Sequence, residues 1–120
     1  MGDPLLDPER LQSLEGLEDT TGTDLIAELI RIFADATPSS LRILRDHLAK
    51  GDLPQAARTA HSLKSSCSAL GATKMLGLAA ATEEAARQGR AEDAQNFAAA
   101  LAGVYEPTKE ALEAYSEGRA

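Results

Sequence analysis

The sequence is poor in the residues that define several classes of protein. It has one cysteine, no tryptophan, and only two tyrosines and two phenylalanines in 120 residues. The lone Cys67 cannot form an internal disulfide and cannot build a structural zinc site. Because aromatic side chains are few, the core has to come from leucine, isoleucine and the 23 alanines. That composition favours closely packed helices over a β-sheet.

Basic residues and long apolar runs are also scarce. Twelve Lys and Arg stand against 19 Asp and Glu, which gives a net charge of −7, and the sequence shows no basic stripe. A nucleic-acid ligand is not expected, because binding to its backbone needs clustered cations. No apolar run approaches the roughly 20 residues of a membrane span, and residues 1–4 lack the features of a signal peptide. We therefore expect a cytoplasmic protein with no nucleic-acid or membrane partner. A monomer is also expected.

The length predicts one domain over residues 1–120, since chains divide into domains only at roughly 250 residues. Asp7, Thr37 and Asp52 are placed as helix N-caps with a proline close behind, and Gly16 fits the end of the first helix. The six predicted helices cover residues 8–16, 24–36, 38–50, 53–70, 73–88 and 91–116, with a kink at Pro107. Short links make neighbouring helices antiparallel. The predicted fold is an all-α, up-and-down four-helix bundle with two additional N-terminal helices.

The fourth predicted helix carries the candidate chemistry. At about 100° per residue, one side of it is apolar and predicts a core-facing stripe of Ala56, Ala60, Leu63, Cys67 and Leu70. His61 points away from that stripe, and Lys64 lies three residues on, within reach of a group attached to the imidazole. Four residues that helical spacing places near His61 are small: Ala57, Ser65, Ser68 and Ala72. An exposed histidine on a flat surface suits a nucleophile that a large partner approaches.

The segment AHSLKSSCSALGA, residues 60–72, resembles the signature of the histidine-containing phosphotransfer (HPt) domain family. The shared pattern is His, any residue, Leu, Lys, Gly or Ser, and then Gly-Ala about ten residues after the His. The resemblance implies that His61 is phosphorylated and that Lys64 steadies the phosphoryl group. It also implies a relay between receiver domains of a multistep two-component pathway. Ser65 stands where many members have Gly, and its small side chain keeps the approach open.

The residue types predict how such a relay would work. A neutral imidazole attacks the phosphorus of a partner's aspartyl phosphate, and a second receiver aspartate later takes the group. The expected partners are response regulator receiver domains and a sensor or hybrid histidine kinase, docking over Ala57, Ser65, Ser68 and Ala72. Mg²⁺ is expected on the partner receiver domain, with no cofactor or metal bound by this chain. Since no glycine-rich nucleotide motif is present, the chain is not expected to be an autonomous kinase.

Two other functions stay open at the level of sequence. A helical adaptor would have the same bundle and acidity but no acid-labile phosphate on His61, which would then be an ordinary solvated residue. A metal-binding four-helix protein would need Glu and His paired at i, i+3 on several inward faces, and those faces hold Ala and Leu. Lys64 could also have no chemical role, with the aliphatic part of its side chain packed along the bundle. Glu83 and Glu84 are interpreted as a solvated face, with a hydrogen bond to a packed helix as the alternative.

Overall fold

The computed structural model describes residues 4–21 and 24–118, and the regular structure of these residues is entirely helical. The predicted all-α fold is confirmed. None of the helices in this part of the chain is long and apolar enough to cross a membrane. Six helices follow one another: α1 Pro8–Thr21, α2 Leu25–Ala49, α3 Leu53–Leu70, α4 Thr73–Arg87, α5 Ala91–Gly103 and α6 Tyr105–Gly118.

Helices α2 to α5 form the bundle. Each packs against the next, and α5 returns to contact α2, which closes the arrangement. The two terminal helices lie on the outside, α1 against α2 and α3, and α6 against α2 and α5. The bundle encloses an aliphatic core that includes Ile26, Leu44, Ala60, Leu63, Met75, Ala79, Leu101 and Leu112. The shortage of aromatic residues is thus met by leucine and alanine, as the composition predicts.

The helices of the N-terminal half differ in number from the prediction. The second and third predicted helices are one continuous helix, α2, so one helix and not two precedes the bundle. Thr37 is therefore not an N-cap, since it is buried within α2, and Pro38 lies in the helix interior. A proline at that position has no N–H to donate to the carbonyl of Ala34, four residues earlier.

Tyr105 supplies the donor that Pro38 lacks. Its hydroxyl donates to the carbonyl oxygen of Ala34 at 3.3 Å, so the acceptor released by the proline is satisfied within the fold. Burial raises the pKa of the Tyr105 phenol, which keeps the hydroxyl protonated. The Tyr105 ring also packs against Phe33, with ring centroids 5.7 Å apart. Because Tyr105 lies 71 positions beyond Ala34, reasoning from the local sequence around Pro38 could not find this contact.

The first and last predicted helices also end elsewhere. α1 continues past Gly16, which lacks the positive φ of a helix-ending glycine. The last predicted helix is divided at Val104 into α5 and α6. Pro107 lies in the first turn of α6, which begins at Tyr105. The first N–H groups of a helix have no acceptor within it, so a proline at this position costs no helical hydrogen bond. The other predicted ends are confirmed by positive φ angles at Gly51, Gly71 and Gly89.

We predict that Tyr105→Phe lowers the free energy of unfolding by about 0.5–1.5 kcal/mol, the usual contribution of one hydrogen bond. The ring contact with Phe33 is kept in this variant, so the loss reports the bond to Ala34. In a Pro38→Ala background, residue 38 regains an N–H for that carbonyl, and Tyr105→Phe is expected to cost less. Urea denaturation of the four proteins measures the difference. An equal cost in both backgrounds would contradict this explanation of the continuous helix.

Candidate functional site

Helix α3 holds His61 at the surface because its ends and its buried side are both fixed. At the start, the Asp52 carboxylate accepts from the backbone N–H of Gln55 at 3.3 Å. At the end, Gly71 adopts a left-handed conformation with φ 66°, which a residue with a side chain rarely adopts. His61 is 55% exposed. The predicted core stripe is confirmed, since its members are all buried: Ala56, Ala60, Leu63, Cys67 and Leu70.

A carboxylate from α4 contacts the imidazole. Glu83 Oε2 lies 3.0 Å from His61 Nδ1, although only 8% of the Glu83 side chain is exposed. The same carboxylate binds two cations, with Oε1 at 2.7 Å from Lys64 Nζ and Oε2 at 2.7 Å from Arg87 Nη2. The interpretation of Glu83 as a solvated face is therefore wrong, and the alternative of a hydrogen bond to a packed helix is confirmed.

The protonation of Glu83 determines which imidazole nitrogen carries a proton. Its hydrogen bond with Lys64 holds the pKa of Glu83 below its ordinary value of 4.5, with further lowering by His61 and the charges of Lys64 and Arg87. Glu83 is thus an ionised carboxylate at neutral pH, and an ionised carboxylate only accepts hydrogen bonds. Nδ1 of His61 must then be the donor. In the neutral ring this places the lone pair on Nε2.

Lys64 lies beside His61, as its spacing predicts, but it is not a free cation. Its Nζ is bonded to Glu83, and its side chain is 35% exposed. Arg87 reaches the same carboxylate from the next turn of α4 and is 60% exposed. Because Arg87 and the imidazole share Oε2, this guanidinium is also close to the ring. Two cations therefore flank His61, one from each helix.

The structure divides the four predicted docking residues into two groups. Ser65 and Ser68 are exposed on the same helix as His61. Ala57 and Ala72 are 6% and 0% exposed, so the prediction that these two side chains lie on the exposed surface beside His61 is wrong. Ala57 lies on the flank between the core stripe and His61, and it is part of the buried core.

Ala72 is buried for a different reason. α3 ends before it, so the helical geometry that placed Ala72 on the His61 side does not apply. The start of α1 covers this turn, with the backbone N–H of Asp7 donating to the carbonyl of Gly71 at 2.7 Å. Arg10 is held at the same place, since its Nε donates to the carbonyl of Ala69 at 3.0 Å.

Sequence reasoning missed the roles of Glu83 and Arg87. One signal was present, because Glu83 and Arg87 are four residues apart and form an ion pair on one face of α4. That spacing cannot show which of the two adjacent glutamates faces α3. The neighbouring Glu84 is exposed and bonded to Gln88. The choice between them depends on the rotation of α4 against α3, which only the packed structure gives.

The carboxylate and the thiol nearest to His61 on these two helices are already paired or buried. In the described residues, no three His, Cys, Asp or Glu side chains are grouped as metal ligands. The oxygens of Glu83 are occupied by Lys64, Arg87 and the imidazole. Cys67 is buried, and burial raises the pKa of its thiol to about 12. It is therefore an unreactive core side chain, as its place on the apolar stripe predicts.

Comparison with known protein families matches residues 28–116 to the Hpt domain. The chain belongs to the Hpt domain family. Histidine-containing phosphotransfer protein B (HptB) from Pseudomonas aeruginosa PAO1 has a similar structure, with a TM-score of 0.83, 25% identity and 97% of each chain covered. The histidine-containing phosphotransfer protein ZmHP2 from maize gives a TM-score of 0.82 at 21% identity, covering 96% of this chain and 86% of the maize chain. No curated protein matches.

Membership of the Hpt family gives the site its context. The chain is a histidine phosphotransfer domain of a two-component phosphorelay, which confirms the function implied by the sequence resemblance. Response regulators and kinases are the partners of this class of domain. The structure adds that the imidazole of His61 is exposed, contacts a buried carboxylate and is flanked by two cations.

We predict that Glu83→Gln lowers the free energy of unfolding at pH 7 by about 1–3 kcal/mol, because hydrogen bonds to a charged group are lost. The pKa of Glu83 is lower in the folded chain than its ordinary value of 4.5. Its stabilising effect is therefore complete above that value and disappears as the pH falls through the lower folded value. Urea denaturation of both proteins at neutral and acidic pH measures this, and the difference between them should shrink on acidification.

Glu84→Gln is the matched control, since it makes the same change at the adjacent exposed position. It is expected to change the free energy of unfolding by no more than about 0.5 kcal/mol. A Glu83→Gln difference that is the same at pH 7 and at about pH 3 would show that the carboxylate charge has no part in the stabilisation.

Proposed function

We propose that His61 is the phosphorylated residue of this Hpt domain and that Nε2 is the atom that bonds to phosphorus. The observation that carries the proposal is the 3.0 Å bond between His61 Nδ1 and the Glu83 carboxylate. That bond occupies one ring nitrogen with a proton and leaves the other with its lone pair. The imidazole is also more than half exposed, so a large partner can reach Nε2.

The reaction is a displacement at phosphorus. The Nε2 lone pair attacks the phosphorus of an aspartyl phosphate on a receiver domain, and the bond from phosphorus to the aspartate oxygen breaks with its electrons leaving on that carboxylate. The ring gains positive charge as the nitrogen–phosphorus bond forms, while Nδ1 keeps its proton. A second receiver aspartate takes the group in the reverse sense, which restores the neutral ring.

Glu83 and its two cations stabilise the two charges that appear during transfer. The Glu83 carboxylate, which lies next to Nδ1, stabilises the positive charge on the ring. Lys64 and Arg87 together exceed the single negative charge of Glu83, so the cluster has one net positive charge with the ring neutral. That charge favours the phosphoryl group on Nε2. Lys64 keeps its predicted role of steadying the phosphoryl group, and Arg87 shares it.

Ser65 and Ser68 form the part of the docking surface nearest to His61. The hydroxyl of Ser65 donates to the carbonyl of His61 at 3.3 Å, so it folds back on its own helix and adds little height. The reacting atoms have to approach to about 3 Å, and a flat surface permits this.

We assign the docking partners as response regulator receiver domains, with a sensor or hybrid histidine kinase upstream. The receiver domain supplies Mg²⁺, because the carboxylate beside His61 is already paired.

We predict that His61→Gln abolishes phosphoryl acceptance and leaves the fold intact, since an exposed residue is exchanged for a good helix former. The donors are a panel of receiver domains phosphorylated with acetyl phosphate, and the measurement is acid-labile, base-stable label on the chain. His47→Gln is the matched control, because His47 is the other of the two histidines and lies in the last turn of α2. It is expected to accept label like the parent.

Label that survives in His61→Gln would contradict the assignment of His61. Failure of the parent to accept label from every receiver domain of the panel would instead favour the adaptor alternative. Circular dichroism of both variants shows whether the helices remain folded.

A further inference from the structure

Helix α3 differs from the other helices in its charge. It contains Arg58 and Lys64 but no Asp or Glu between Leu53 and Leu70. Each of the other five described helices contains at least two acidic residues. The chain as a whole has a net charge of −7. The helix that carries His61 nevertheless contributes only positive charges to its surface.

Three cations lie along this surface. Arg58 and Lys64 are three residues before and three residues after His61, so they are its neighbours on one helix face. Arg10 reaches the same surface from α1, where its bond to the carbonyl of Ala69 fixes it beyond Ser65. The sequence gives no sign of this arrangement, because the third cation comes from a different helix.

Arg10 and Lys64 line one shallow cavity of about 650 Å³ beside His61, and none of its lining residues is a carboxylate: Arg10, Lys64, Ser65, Ser68, Ala69 and Leu76. Among the described residues, Arg10 and Arg58 have no carboxylate within ion-pair distance. Both side chains are exposed. Their charge is thus available to a partner.

We propose that Arg10, Arg58 and Lys64 form a cationic docking surface that steers a phosphorylated receiver domain onto His61. The inference rests on the proposed function of His61 and adds the residues that set the rate of association. The receiver face that reaches Nε2 carries a phosphoryl group on an aspartate, so it is anionic where it meets this surface. The acidic remainder of the Hpt domain repels the same face and leaves α3 as the favoured approach.

The size of the surface fits such a partner. Arg58 and Ala69 are eleven residues apart, which is about 16 Å along a helix. A typical stable interface covers about 800 Å² on each partner, which is large enough to span this length and to include His61. Lys64 is already part of the chemistry at the imidazole. Arg10 and Arg58 are therefore the positions at which steering can be tested separately.

The test compares Arg10→Gln, Arg58→Gln and Arg45→Gln in rapid-mixing phosphotransfer. The donor is the receiver domain that transfers fastest to the parent, and the second-order rate constant is measured at about 0.1 M and about 1 M salt, where the screening lengths are about 10 and 3 Å. Arg45 is the matched control, because it is an exposed arginine at the groove between α2 and α5. All three variants remove one positive charge.

At the lower salt concentration, Arg10→Gln and Arg58→Gln are each expected to lower the rate constant by about two- to five-fold, and Arg45→Gln to leave it near the parent value. At the higher concentration the differences should largely vanish. Phosphoramidate, a small donor, should label all variants like the parent, since it needs no docking surface.

Four results would overturn the proposal. Equal loss in all three variants would mean that only net charge matters, and no loss in Arg10→Gln and Arg58→Gln would mean that the surface does not steer. Loss that is independent of salt would indicate a contact other than an electrostatic one. Self-association of the parent that the same substitutions weaken would assign the surface to a second copy.

A parent that accepts no phosphoryl group at all would instead disprove the proposed function of His61. Because Arg10 also anchors α1, Arg58→Gln gives the result that a folding defect cannot explain.

Discussion

The carboxylate of Glu83 joins the chemistry of this domain to its packing. It lies buried between α3 and α4 and accepts bonds from an imidazole, an ammonium and a guanidinium. Burying a carboxylate is costly unless it is paired, and these donors pair both of its oxygens. The carboxylate orients His61 and holds Lys64 beside the ring, so it links α4 to α3 at this point. The reactive surface and the helix interface therefore depend on one ionised group.

Sequence reasoning was most successful where local chemistry decides the outcome. The bounds of α3 follow from a capping carboxylate at Asp52 and a left-handed glycine at Gly71, and its core stripe follows from helical spacing. It failed where a distant residue decides. α2 continues through Pro38 because a tyrosine from the start of α6 satisfies the carbonyl that the proline leaves unpaired. Ala72 was misplaced because a helical projection was extended beyond the end of its helix.

The site was predictable to a similar degree. His61 and Lys64 are recognisable from their spacing and from the resemblance to Hpt domains, and both lie where that spacing places them. Glu83 and Arg87 are not, since nothing in the local sequence of α4 shows which of its faces meets His61. The contribution of Arg10 is also tertiary, because α1 is positioned by bonds to the end of α3. The residues proposed to react are thus close together in the sequence, whereas the residues that contact them come from packed neighbouring helices.

We infer that Glu83 keeps the proton of the neutral His61 ring on Nδ1 and leaves Nε2 as the proposed nucleophile. Long-range proton–nitrogen NMR correlation of the full chain, at a pH where the ring is neutral, reports the tautomer directly, because a protonated and an unprotonated ring nitrogen differ widely in chemical shift. We predict a protonated Nδ1 and an unprotonated Nε2 for His61 in the parent protein. A predominant tautomer with the proton on Nε2 would contradict it.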